Sequence, residues 1–213
     1  MKRWRFLLAD DHDIVVEGLR RVLDQPDLEI VGVVKDGRSL LRAVKELQPD
    51  IVIADITMPL LNGIDAARQI HKSNPGVKII FLTMHPDVPF ATEALAAGGS
   101  GYVLKSSAGD ELLTAIRAAA MGRTYVTKSI AASVKQGLSA RSNTWRNPLD
   151  KLTSRQREVL QLLAEGLPAR EIAFKLNLSP RTVEFHKYRI MDELGLRTTA
   201  ELSRYAARHG IVT

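Results

Sequence analysis

The sequence predicts an α/β domain, a doubly wound five-stranded parallel sheet, followed by a small all-α domain of four helices. Three observations predict it. Over residues 1–121, short β-branched runs alternate with stretches whose apolar residues recur at three-to-four spacing. The runs are apolar on both faces, which implies a parallel sheet covered by helices on each side. From residue 149 onward only helical spacing remains.

The strand candidates are "WRFLLA", "LEIVGVV", "DIVIA", "VKIIFL" and "GYVL". Between and after them lie the helical stretches "DIVVEGLRRVLDQ", "GRSLLRAVKELQ", "GIDAARQIHKS", "DVPFATEALAAG" and "AGDELLTAIRAAAMG". Right-handed crossovers then give a flavodoxin-like order, in which a ligand sits beyond the carboxyl ends of the strands.

Composition removes several classes of function. The 213 residues contain no cysteine, which excludes a disulfide scaffold, thiol catalysis and thiolate zinc sites. The start "MKRWRFLLADDHD" is basic, but its apolar stretch ends at Ala9, too early for a secretory signal. No apolar run approaches the roughly 20 residues that cross a bilayer, so a cytoplasmic protein is expected. Charge is uneven: residues 1–120 hold 14 Lys and Arg against 16 Asp and Glu, and residues 121–213 hold 16 against 8. Only the second half, at +8, is suited to a polyanion.

Carboxylates gather where strands end. Asp10 and Asp11 close the first strand and Asp55 closes the third, so neighbouring first and third strands bring all three to one switch point. Clustered carboxylates repel unless a cation compensates, which points to a hard divalent metal, Mg²⁺. Thr83 ends the fourth strand and Lys105 the fifth. A hydroxyl and an ammonium there can hold the oxygens of a phosphoryl group on Asp55. Asp13 is expected as the N-cap of the first helix, His12 as a loop residue and Tyr102 as a half-buried aromatic.

The motifs "ADDH", "ADITMPLLNGID", "FLTM" and "GYVLKS" resemble the receiver domain of bacterial two-component response regulators. The resemblance implies that Asp55 accepts a phosphoryl group and that Asp10, Asp11 and the backbone carbonyl of Thr57 help hold Mg²⁺. It implies that Lys105 pairs with the phosphoryl oxygens. Thr83 and Tyr102 match the switch pair, in which the hydroxyl moves toward the phosphate and the ring turns inward. A receiver catalyses its own phosphorylation and dephosphorylation but is not otherwise an enzyme, and its partner is a histidine kinase. Ser106 stands where many receivers have proline.

Residues 122–148, small and polar, read as a linker with one short helix around Lys128–Gly137 and with Arg141 and Arg146 as either solvated or DNA-contacting side chains. The second domain, 149–213, opens on a capping box, Thr153 with Gln156, before the stripe Val159, Leu160, Leu163 and Ala164. A short helix "AREIAFKLN" and a turn lead to "SPRTVEFHKYRIMDELG", where Ser179 caps, Pro180 takes the first helical position and Gly195 stops the helix. "TAELSRYAARHG" completes four helices. At 100° per residue Val183, Ile190 and Leu194 point inward, and Arg181, Glu184, Phe185, Tyr188 and Asp192 point outward. His186 falls near the inward side, as a packed histidine.

The stretches "LTSRQREVLQLLAEGL", "EIA" and "TVEFH" resemble the LuxR-type helix-turn-helix, and with the receiver they resemble the NarL/FixJ family of response regulators. That family uses the third helix of the bundle to read double-stranded DNA and the last for dimerisation. Arg181, Thr182, Lys187 and Arg189 are then expected on phosphates, with Glu184, Phe185 and Tyr188 facing bases. Glu184 and Tyr188 stand where some members carry lysine. A homodimer is expected when the protein is phosphorylated or on DNA. An aspartyl-phosphate phosphatase would place its nucleophile on the first strand beneath a cap domain, and a dinucleotide enzyme would carry Gly-x-Gly-x-x-Gly after it; neither pattern is present.

Overall fold

The computed structural model describes residues 3–141 and 148–212. The first domain is a parallel sheet in the order β2-β1-β3-β4-β5-β6: β1 Trp4–Ala9, β2 Leu28–Val34, β3 Ile51–Ala54, β4 Lys78–Thr83, β5 Gly101–Leu104 and β6 Tyr125–Val126. The order reverses beside β1, so β1 and β3 are neighbours, with Ala9 opposite Ala54. That register sets Asp10 and Asp55 side by side at the carboxyl edge.

Alternation along β1 divides the core. Phe6 and Leu8 face α1 (Asp13–Val22) and α5 (Ala108–Ala120), while Leu7 and Ala9 face α2 (Gly37–Leu47) and α3 (Gly63–Ser73). Helix α4 (Val88–Ala96) lies on the latter face, which also buries Phe81 and Tyr102. Each face holds one apolar cluster, as two-faced strands require.

Two local features differ from the sequence reading. The cap position of α1 is His12, without a side-chain cap bond, and Asp13 is the first helical residue. Its carboxylate instead reaches Lys35, at 2.6 Å, while still lying in the first turn where negative charge suits the helix dipole. The second difference is a sixth strand. The segment 122–148, read as a linker, contributes β6, paired with the β5 edge through Gly101–Tyr125 and Tyr102–Val126. It then forms α6, Lys128–Arg141, longer than the short helix expected. Val134 of α6 is 1% exposed and Ile130 packs beside it against the α4 face. Burying such side chains contributes about 1.5–3 kcal/mol each, which is why this stretch docks instead of remaining a tether. Arg146, read as either solvated or DNA-contacting, lies outside the described residues, as does the side chain at 141.

The second domain packs α7 (Ser154–Ala164), α8 (Ala169–Leu176), α9 (Pro180–Leu194) and α10 (Thr199–Arg208) around Leu160, Ile172, Val183, Ile190 and Leu202. Its helix ends follow the sequence signals. The Thr153–Gln156 capping box forms, Ser179 accepts from the Thr182 N–H at 3.0 Å, and Gly195 takes the left-handed cap at φ 67°. Among the described residues no helix is long and apolar enough to cross a membrane.

Candidate functional site

Backbone bonds fix the acidic edge before any side chain acts. The Asp10 N–H donates to the Val34 carbonyl at 3.1 Å, and the Asp55 N–H to the Ala9 carbonyl at 2.8 Å. The loop after Asp55 folds back so that the Gly63 N–H reaches the Ile56 carbonyl at 2.7 Å. A Cβ at Gly63 would stand 2.0 Å from the Asp55 carbonyl oxygen, so only glycine lets α3 begin this close to the site.

The expected receiver residues converge. Asp10 and Asp55 are buried, Asp11 and Lys105 half-buried, and ligand atoms of Asp10, Asp11, His12 and Asp55 lie within 4.8 Å of one another. Lys105 Nζ sits 2.8 Å from Asp10 Oδ2 and 2.7 Å from Asp55 Oδ2. Asp55 Oδ1 accepts from the Ile56 N–H at 2.6 Å and from the Thr57 N–H at 3.4 Å. Burial pushes the Asp55 carboxyl above its ordinary value, with the Asp10 charge adding to the rise, while Lys105 pulls against it. Lys105 is itself raised: its two carboxylate partners outweigh its own desolvation. The donor set of hard carboxylates around one ammonium suits a divalent cation.

Thr83 and Tyr102 flank this group. Thr83 is fully buried, and its Oγ1 accepts from the His85 N–H at 3.3 Å. Tyr102 is fully buried, not half-buried as its strand position suggests, because its ring enters the cluster beneath α4 and its hydroxyl donates to the His85 carbonyl at 2.8 Å. The inward position expected of a switched ring is therefore already occupied. Burial, with Asp87 and Asp55 nearby, raises the phenol pKa strongly.

Two histidines were not expected here. His12 Nδ1 lies 3.1 Å from Asp10 Oδ1 and 3.0 Å from Asp11 Oδ1, so its ring is within hydrogen-bond reach of the cluster and it is not only a loop residue. His85 Nε2 is 3.0 Å from Thr57 Oγ1, bridging the loops after β3 and β4. The signal available was spacing alone: His85 follows Thr83 by two residues, as Thr57 follows Asp55. Asp11, His12, Asp55, Thr57, Thr83, His85 and Lys105 line one cleft of about 580 Å³.

On α9 the predicted faces separate. Val183 and Ile190 are buried, while Phe185 and Tyr188 are 60% and 63% exposed. Arg181, Arg189 and Asp192 are exposed, Thr182 and Glu184 half-buried. Lys187 is less free than an edge position implies, because its ammonium is 2.6 Å from Glu184 and 5.1 Å from the Tyr188 ring centre. His186 is half-buried, and burial together with Arg155 lowers its pKa.

Residues 6–117 match the response regulator receiver domain family, and residues 150–206 match the family of bacterial regulatory proteins described as luxR. The chain belongs to the response regulators. This response regulator is 34% identical over 212 residues to the response regulator GacA of Pseudomonas aeruginosa, which takes in 98% of this chain and 97% of GacA. Its identity to the response regulator UvrY of Escherichia coli K12 is 34% over 206 residues, 96% of this chain and 94% of UvrY. Among solved structures, the RcsB response regulator of Salmonella typhimurium matches with a TM-score of 0.66 and 30% identity, covering 98% of each chain. RcsB bound to promoter P1flhDC in the presence of phosphomimetic BeF3- matches with a TM-score of 0.64 and 30% identity, over 97% of this chain and 100% of that one.

Proposed function

We propose that this response regulator is phosphorylated on Asp55 with Mg²⁺ as cofactor, by a histidine kinase or a small phosphodonor, and that the modification controls its binding to duplex DNA. The observation that carries the reading is Lys105 held between Asp10 and Asp55, with Asp55 and Lys105 both lining the cleft. Phosphoryl transfer asks a protein mainly for positioning and charge neutralisation. Asp10, Asp11, Asp55 and the Thr57 carbonyl would hold the metal, which supplies neutralisation of the oxygens when bound. Lys105 then takes the transferred oxygens and Thr83 donates a hydroxyl to one of them.

The acceptor domain is assigned to residues 1–121 and the DNA-binding domain to 149–213, joined by 122–148. In the second domain Arg181, Thr182, Lys187 and Arg189 take phosphates, and Glu184, Phe185 and Tyr188 take base edges. RcsB, a relative across both domains, is a DNA-bound response regulator, and by that likeness DNA is the partner and a homodimer the bound form. Because the Tyr102 ring is already inward, the switch is assigned chiefly to Thr83, whose bond to the His85 N–H must yield when its hydroxyl turns to the phosphate.

Intact mass spectrometry after incubation with acetyl phosphate tests the acceptor assignment. One phosphoryl group is expected in wild type with Mg²⁺, and none without metal or in Asp55→Asn. Labelling of Asp55→Asn to the wild-type extent would remove Asp55 from the role.

A further inference from the structure

The segment that leaves the receiver is bound to the end of β5 by one buried residue. Thr127, immediately before α6, is 1% exposed. Its N–H donates to the Tyr102 carbonyl at 2.9 Å, and its hydroxyl oxygen accepts from the Leu104 N–H at 3.0 Å. In a parallel ladder continued by one step, the Leu104 N–H would meet the Thr127 carbonyl. That carbonyl instead turns into α6 and accepts from the Ile130 N–H at 3.1 Å. The side chain of the same residue takes its place on Leu104, so the buried N–H keeps a partner where β6 gives way to helix.

Leu104 is the point at which the groups around Asp55 meet this link. Across the sheet it lies opposite Thr83 on β4, and along the chain Lys105 follows it. The second residue that Thr127 holds is Tyr102, whose ring lies beneath α4. Further along, Ile130 and Val134 pack α6 on the α4 face. Gly137 approaches α4 so closely that a Cβ would stand 3.2 Å from both Thr92 Oγ1 and Val88 Cγ1. Helix α6 is therefore fixed at its start to β5 and along its length to α4, the two elements that enclose Tyr102.

We infer that Thr127 couples the state of Asp55 to α6, through the bond between its hydroxyl and the Leu104 N–H. The inference rests on the proposed acceptor role of Asp55. When Lys105 leaves Asp55 Oδ2 to follow the phosphoryl oxygens and Thr83 turns toward them, both neighbours of Leu104 move. One pull comes along the chain and the other across the ladder. A displaced Leu104 peptide lengthens its bond to Thr127, and hydrogen bonds weaken steeply as their geometry departs from the optimum. The first turn of α6 then loses the contact that ties it to β5. Because α6 precedes the second domain in the chain, this loosening lies on the covalent route from the acceptor site to the DNA-binding half. The coupling is reciprocal: an α6 that is already loose favours the phosphorylated arrangement.

The test uses the full chain and follows amide hydrogen exchange over residues 125–137, with and without acetyl phosphate and Mg²⁺, while intact mass reports the phosphoryl group on Asp55. In wild type the segment is expected to exchange about fivefold faster once Asp55 is modified, the low end of an ordinary coupling between sites. Thr127→Ser keeps the hydroxyl and should keep that response. Thr127→Val keeps the branched shape but leaves the Leu104 N–H without its acceptor. Its segment should exchange fast from the outset and respond to phosphorylation by about twofold at most. A Thr127 that served only stability would quicken exchange in Thr127→Val yet leave the ratio between the two states at the wild-type value, and that ratio would overturn the inference. An unchanged or slower segment in phosphorylated wild type would overturn it too, whatever the fate of the variants. Both results leave Asp55 as acceptor. An Asp55 unmodified in every chain would remove the acceptor role and the inference with it.

Discussion

A chain with Lys105 replaced by methionine is expected to be less stable by about 3–5 kcal/mol in metal-free buffer near neutral pH, because removing one partner of a buried ionic group leaves the other uncompensated. Lys105 touches Asp10 and Asp55 at once, and its side chain is 9% exposed, so solvent screens the group little. The pH dependence gives the sign. Asp55 is already raised above its ordinary value by burial, and losing Lys105 removes the influence that pulled it down. A carboxyl raised in the folded state destabilises the fold above its unfolded pKa, and the penalty is relieved as pH falls through the folded one. The deficit of Lys105→Met should therefore shrink on acidification. Denaturant titrations near pH 7 and again near pH 5 read it, and Mg²⁺ is expected to return part of the loss. A deficit under about 1 kcal/mol, or one indifferent to pH, would mean that the acids are compensated by something other than Lys105.

The second large effect is expected on DNA, where two kinds of substitution on α9 should separate. Arg189 is exposed and makes no ion pair among the described residues, so Arg189→Ala should weaken binding to all sequences alike and flatten the salt dependence by about one unit of log–log slope. Glu184 acts differently. Its carboxylate holds Lys187 at 2.6 Å, so Glu184→Ala both removes an acceptor for a base edge and frees a cation. Discrimination at one base position should fall by about 1–3 kcal/mol while nonspecific affinity rises. Lys187→Ala should follow Arg189→Ala, moderated because the ammonium must first leave Glu184. Selection from random duplexes and salt titrations of Kd distinguish these outcomes. An equally sharp motif from Glu184→Ala would remove Glu184 from base reading.

Much of the fold was legible because its signals are local. Strands apolar on both faces, such as "IVIA", fit only a sheet covered on both sides, and the acids at their ends fall where β1 and β3 must meet. The capping box at Thr153 and the stop at Gly195 are chemistry of four or five adjacent residues. What was not legible depends on distant partners. Tyr125 and Val126 become a strand only because the β5 edge is there to receive them, and α6 is held by Val134 and Ile130 on a helix otherwise small and polar. Asp13 has every local mark of a cap, yet the fold starts α1 at Asp13 itself and turns its carboxylate toward Lys35, a partner 22 residues away that no local signal announces. His12 and His85 look like loop residues until the fold brings carboxylates and Thr57 to them. Arg157, Glu158 and Gln161 of α7, with Glu165 at its end, carry no local signal of their own, because only the receiver's position turns them into an interface.

The central claim is that phosphorylation of Asp55 governs DNA binding, and the most direct measurement is fluorescence anisotropy of the full chain on a selected duplex, with and without acetyl phosphate and Mg²⁺. Wild type is expected to gain about tenfold or more in affinity. Asp55→Asn should gain nothing, and Thr83→Ala should accept the phosphoryl group yet lose most of the gain. The claim is contradicted if wild type, shown by mass to be fully phosphorylated, binds no more tightly than before, or if Asp55→Asn gains as much as wild type.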